Sequence, residues 1–144
     1  MELNRRGAKP LLASLSDISS VSAAAVPYES STVLDTRAAS KFRASHFPDA
    51  INIPERSKSE SWVGTFIEPK DGFYLVVDTK EQGQVQLEKL AKIGYEQFVK
   101  GIVLYGDFAG QPSTAFDQTA FDRAQDHYFI VDVRTAEEAK AGPV

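Results

Sequence analysis

The sequence predicts an α/β fold in three layers, a mainly parallel sheet of about five strands with helices on both faces. Three observations carry this expectation. Short β-branched or apolar runs alternate with amphipathic stretches along most of the chain. The run Phe73–Val77 is apolar at every position and lies between Asp71-Gly72 and Asp78, the pattern of a strand covered on both sides. The composition, 42% hydrophobic and 25% charged over 144 residues, suits one packed domain with little left over.

The elements follow in order. Residues 1–12 are basic and punctuated by Gly7 and Pro10, and read as a connection. Ser16-Asp17 offers an N-cap ahead of Ile18, Val21 and Ala25, predicting a short helix that stops before Pro27. Thr32–Asp35 is a β-branched strand, followed by a helix over 38–44 with Phe42 on its buried side. His46-Phe47-Pro48-Asp49 turns the chain into a strand over 50–53, which Pro54 closes. Trp62, Val63, Phe66 and Ile67 mark one face of a helix over 57–67, a spacing that reads as core packing. A helix over 82–93 should bury Leu87, Leu90, Ala91 and Ile93, pair Glu88 with Lys92, and end at Gly94. A strand over 98–104 follows, then a helical or irregular stretch from Ser113 to about Arg123. In parallel α/β sheets ligands gather at the carboxyl ends of strands. The turns after Asp35, Ile53, Asp78 and Leu104 therefore form the expected functional edge.

Several function classes are set aside by composition. No apolar stretch approaches the roughly 20 residues of a membrane span. The start, Met1 to Arg6, has charge but no apolar core or cleavage site, so a cytoplasmic protein is expected. Sixteen basic against twenty acidic residues leave a net charge of −4 without a basic cluster, which argues against a nucleic-acid partner. Zero cysteines exclude disulfides, thiolate metal sites and cysteine nucleophiles. His46 and His127 have no second ligand at helical spacing, so no metal site and no cofactor is expected.

The chain also echoes itself. Val33-Leu34-Asp35-Thr36-Arg37-Ala38-Ala39 matches Ile130-Val131-Asp132-Val133-Arg134-Thr135-Ala136, and Arg43-Ala44 matches Lys140-Ala141. A period this long indicates a domain repeat. The expected organisation is a connection over 1–12, one module over 13–124, and the start of a second over 125–144. The apolar segment 128–133 should pair with a sheet edge or with another copy of the chain, making a homodimer through that segment.

The run from Val33 through Arg37 and Phe42 to His46-Phe47-Pro48-Asp49-Ala50-Ile51-Asn52-Ile53-Pro54 resembles the N-terminal signature of rhodanese-like domains. Trp62-Val63-Gly64-Thr65, Leu75-Val76-Val77-Asp78 and Ile93-Gly94-Tyr95 resemble the rhodanese-like region of proteins that also carry a metallo-β-lactamase-fold hydrolase domain. In such proteins an Asn-Arg-Arg-Gly segment, here Asn4 to Gly7, leads out of the hydrolase domain. The resemblance implies a module of a larger zinc- or iron-dependent hydrolase or dioxygenase, with the upstream hydrolase domain and a downstream rhodanese-like domain as its partners. It further implies that Asp35, Arg37, His46, Pro48, Asn52 and Pro54 are structural motif residues.

Active rhodaneses place a cysteine after the fourth strand, in a loop whose N–H groups and arginine cradle an anion. Here Asp78 stands at that position, and the loop reads Asp78, Thr79, Lys80, Glu81, Gln82, Gly83. A carboxylate cannot carry a persulfide, and the glycine and arginine are missing too. The expectation is a module without sulfurtransferase activity and without catalytic residues, whose degenerate loop is the candidate binding segment.

His46 reads as a hydrogen-bonding turn residue rather than a general base. Asp35 and Arg37 read as an ion pair fixing the strand-to-helix turn rather than an anion site. Lys80 and Glu81 read as a solvated pair. The alternative from another class is a phosphoryl-handling domain with Asp78 as nucleophile, although no second carboxylate follows two residues on to hold magnesium.

Overall fold

A computed structural model of the chain describes residues 18–56, 58–68, 70, 72–106, 108–129, 131, 134–140 and 142. They fall into two compact units divided between Ser113 and Thr114.

The first unit holds a five-stranded sheet, parallel throughout. Its strands are β1 (Ser20–Val21), β2 (Thr32–Asp35), β3 (Ile51–Asn52), β4 (Phe73–Val77) and β5 (Val99–Leu104), arranged β1-β5-β4-β2-β3. Three α-helices connect them: α1 (Ala39–Ala44), α2 (Ser59–Phe66) and α3 (Lys80–Ala91). The α/β/α layering expected from the alternating pattern is present. β4 is central, and its side chains alternate as a period of two requires. Phe73, Leu75 and Val77 enter one core with Val63 and Ile67 of the α2 region and Leu87 and Leu90 of α3. Val76 enters a second core with Val26, Val33, Phe47, Val103 and Tyr105.

Local chemistry explains most element ends. Pro48 presets its φ, Asp49 takes the left-handed φ of 57°, and the Ala50 N–H donates to the Phe47 carbonyl at 3.2 Å, closing the turn into β3. Gly94 has φ of 72°, and past it the Tyr95 N–H donates back to Leu90 at 3.0 Å, terminating α3. At the other end of α3, Thr79 accepts from the Gln82 N–H while the Gln82 side chain accepts from the Thr79 N–H, a complete capping box.

Four expectations are corrected. Val21 belongs to a strand, and only Ala23–Ala25 is helical, as a 3-10 turn; the expected cap, Ser16-Asp17, lies outside the described residues. The reason is non-local: a Cβ on Gly101 would collide with the Val21 side chain, so glycine there lets β1 close onto β5. On α2, Val63 and Ile67 are buried, but Trp62 and Phe66 are 58% and 59% exposed and lie against each other. On α3, Leu87 and Leu90 are buried whereas Ile93, past the helix end, is exposed, and Glu88 accepts from Gln84 at 3.4 Å instead of pairing with Lys92. Finally, Lys80, Glu81, Gln82 and Gly83 do not form a loop: they are the first turn of α3, because the capping box starts the helix directly after the strand.

The second unit contains α4 (Gln118–Arg123), a 3-10 turn (Gln125–His127) and α5 (Ala136–Ala139). Asp117 caps α4 through Ala120, and Phe121 packs between Phe116 and Tyr128. Tyr128, Phe129 and Val131 carry no strand, and Phe129 is 94% exposed; Ile130, Asp132 and Val133 lie outside the described residues. The echo in sequence extends to a helix start, since α5 opens at Ala136, the position matched to Ala39 at the start of α1. No helix among the described residues is long and apolar enough to cross a membrane.

Candidate functional site

The carboxyl ends of β2, β3 and β4 meet above the sheet, and the cleft they border has a volume of about 330 Å³. Its walls include Thr36, Arg37, Lys41, Pro54, Asp78 and Gln82. Three of the expected turns, after Asp35, Ile53 and Asp78, thus border one space.

Asp35 ends β2 and is wholly buried. Arg37 grips it with two donors: Nε lies 3.0 Å from Oδ1 and Nη2 lies 2.7 Å from Oδ2. The Arg37 backbone N–H donates to Oδ1 as well, at 3.0 Å. Nη2 also donates to the Ser45 carbonyl at 2.8 Å, and the guanidinium sits 3.5 Å above the centre of the Tyr105 ring. Asn52 ties β3 to this corner, donating from Nδ2 to the carbonyls of Asp35 and Arg37 at 2.9 and 3.1 Å. The Nε and Nη2 donors of Arg37 are therefore spent on the scaffold.

His46 is buried and braced on three sides. Its backbone exchanges hydrogen bonds with Gln111 at 2.9 Å in both directions. Its ring stacks on Phe42 at 4.1 Å, and Nδ1 is 2.8 Å from the Phe42 carbonyl, which only accepts, so Nδ1 carries the proton. The Ser45 hydroxyl shares a 2.8 Å bond with the Tyr105 hydroxyl and accepts from the Gly110 N–H. A Cβ on Gly110 would run into the Tyr105 hydroxyl and the His46 carbonyl, so this close approach requires glycine.

At the end of β4 the chemistry differs. Asp78 is partly exposed, and its Oδ1 is 2.9 Å from Lys41 Nζ on α1. Its backbone N–H donates to Gln82 Oε1 at 3.1 Å, so the same Gln82 oxygen receives two consecutive amides. Glu81, fully exposed beside them, has its carboxyl held below the usual range by its own backbone N–H and by the Thr79 hydroxyl. Gly83 packs beneath Ile102, where a Cβ would stand 3.2 Å from its Cγ2. The amides of Asp78, Thr79 and Gln82 around the start of α3 are thus occupied by the protein's own side chains. No three His, Asp or Glu side chains among the described residues converge as metal ligands.

Reasoning from sequence missed Tyr105, Ser45, Gly110 and Lys41. The capping pattern Thr79-x-x-Gln82 was visible and would have converted the expected loop into a helix start.

No protein-family description matches the chain, and none of the curated proteins matches it. Among solved structures, a crystal structure of a metallo-beta-lactamase from Staphylococcus aureus subsp. aureus COL is similar, with a TM-score of 0.49 and 16% sequence identity. The match covers 60% of this chain and 24% of that one.

Proposed function

We propose that this chain is a rhodanese-like module without sulfur-transfer chemistry, an accessory or interaction domain of a larger metallo-β-lactamase-fold hydrolase acting in thiol or sulfur metabolism in the cytoplasm. The observation that carries the reading is the end of β4. A carboxylate bound to Lys41 stands where a thiolate nucleophile would be, in a chain without cysteine. Three amides that could have met a substrate anion there, those of Asp78, Thr79 and Gln82, are taken by the Gln82 and Thr79 side chains. The Asp35–Arg37 corner and the His46–Pro54 turn supply rigidity instead, which suits a module whose work is to hold neighbouring domains.

The test is thiosulfate:cyanide sulfurtransferase activity. The purified chain is expected to form no thiocyanate above a heat-killed control, and Asp78→Cys alone is expected to add little, because the first turn of α3 leaves no open cradle. Turnover by the unmodified chain, or robust turnover by that variant, overturns the reading.

The Lys41–Asp78 pair favours one alternative, since a cation beside an aspartate at a strand end also suits an aspartyl-phosphate site. Acetyl phosphate with magnesium would then label Asp78, whereas the accessory-module reading expects no label. A homodimer through 128–133 is proposed alongside, given the exposure of Phe129 and Val131. Sedimentation of the chain over a concentration series tests it, a constant monomer mass being the outcome against it.

A further inference from the structure

A second cleft, about 580 Å³, runs between β3 and α2. Its size falls within the range of small-molecule sites. The β3 wall holds Ile51, Ile53 and Pro54 beside Asn52, whose Nδ2 is already committed to the Asp35 and Arg37 carbonyls. The α2 wall carries Trp62 and Phe66, one turn apart, their rings 5.9 Å between centres and within 7° of parallel. Both rings remain more than half exposed, an unusual cost for the two largest apolar side chains of a short helix. At one end stands Arg56, the only charged side chain among the described residues lining this cleft, and its guanidinium makes no hydrogen bond or ion pair with any described residue. Ser59, also in the wall, is 3% exposed and its Oγ has no hydrogen-bond partner. The wall therefore offers one exposed guanidinium that no described residue engages, whereas the Ser59 hydroxyl is sealed from the cleft.

We infer that this cleft binds a small planar aromatic carboxylate, with its ring against Trp62 and Phe66 and its carboxylate in the fork of Arg56. Each part of that description rests on a separate feature. The parallel rings select a flat group, the guanidinium in a cleft without a lining carboxylate selects an anion, and the size of this open cleft suits a small molecule. An added peptide strand is disfavoured, because β3 offers only Ile51–Asn52 before Pro54 interrupts the edge. Asp78 does not line this cleft, although Ala39, Pro54 and Arg56 border both clefts, and the inference goes beyond the accessory-module reading.

Trp62 is the chain's only tryptophan, so its indole N–H resonance reports on this cleft alone. The experiment titrates the full chain with 2-naphthoate, followed by calorimetry and by that resonance, beside the neutral probe 2-naphthalenemethanol. One saturable site is expected, with the Trp62 signal shifting. The neutral probe and the variant Arg56→Gln should each weaken binding by about tenfold or more, the scale of a lost charge-assisted pair. Trp62→Ala should abolish binding while thermal unfolding stays within about 3 °C, as for an exposed side chain. No saturable shift at millimolar probe, or naphthoate binding equal in Arg56→Gln, overturns the proposal. So does a Trp62 shift that follows protein concentration and a rise in sedimenting mass without any probe, which assigns the face to a second copy.

Discussion

Two aspartates end neighbouring strands at the same edge of the sheet, and the protein treats them in opposite ways. Asp35 is sealed from water and receives three donors from Arg37, which is itself packed on Tyr105 and bound to Ser45. Asp78, two strands along the same edge in sequence order, meets one flexible lysine in partial contact with solvent. The first pair is a brace whose removal strands a charge in a low-dielectric interior. The second is a surface contact screened by water and salt. Position at a strand end thus does not set an aspartate's role. The depth of its counterion does.

The sharpest way to break the contrast is Arg37→Ala. It leaves the Asp35 carboxylate buried and unpaired and is expected to cost about 3–5 kcal/mol in urea unfolding. A loss under about 1 kcal/mol would place the pair with surface bridges. Thr79→Ala should cost about 1 kcal/mol by removing the cap that starts α3 beside Asp78. Chemical denaturation resolves that, and no change would mean the Gln82 half of the box suffices. Lys41→Ala, which breaks the exposed pair, should cost less than about 1 kcal/mol, and 1 M salt should remove most of the difference from the parent protein.

The smallest effect is electrostatic. Glu81 titrates below its usual value of 4.5 in the folded chain, so its contribution is complete above that value and is lost as pH falls through the lower folded one. Glu81→Gln should therefore flatten the acid limb of stability as pH falls below 4.5. Identical limbs in the two proteins would show that the Thr79 and backbone contacts do not favour the ionised form.

The fold was legible where a local pattern and its burial coincide. Phe73–Val77 needs no knowledge of its neighbours, because five apolar residues between polar stops are covered wherever they lie. Trp62 and Phe66 show the limit of the same reasoning. Their spacing identified a helix stripe correctly, but Val63 and Ile67 define a second stripe one residue round, and only the packing of α2 on the sheet decides which enters the core. β1 failed for a similar reason, since two residues form a strand only because Gly101 makes room on β5. At the edge cleft, Asp35, Arg37 and Asn52 were readable as one motif, while Tyr105 reaches Arg37 from the far end of the module and leaves no trace near it in sequence.

The strand order also has a temporal side. β1 comes first in the chain yet pairs only with β5, which comes last, whereas β4 first meets β2, made some forty residues earlier. A sheet without hairpins offers no local nucleus, so loop closure governs how fast it assembles. On a ribosome, β2, β3 and β4 can join while β1 waits for Val99–Leu104 to emerge. Within this sheet, the strand that is made first is then the last to find its place.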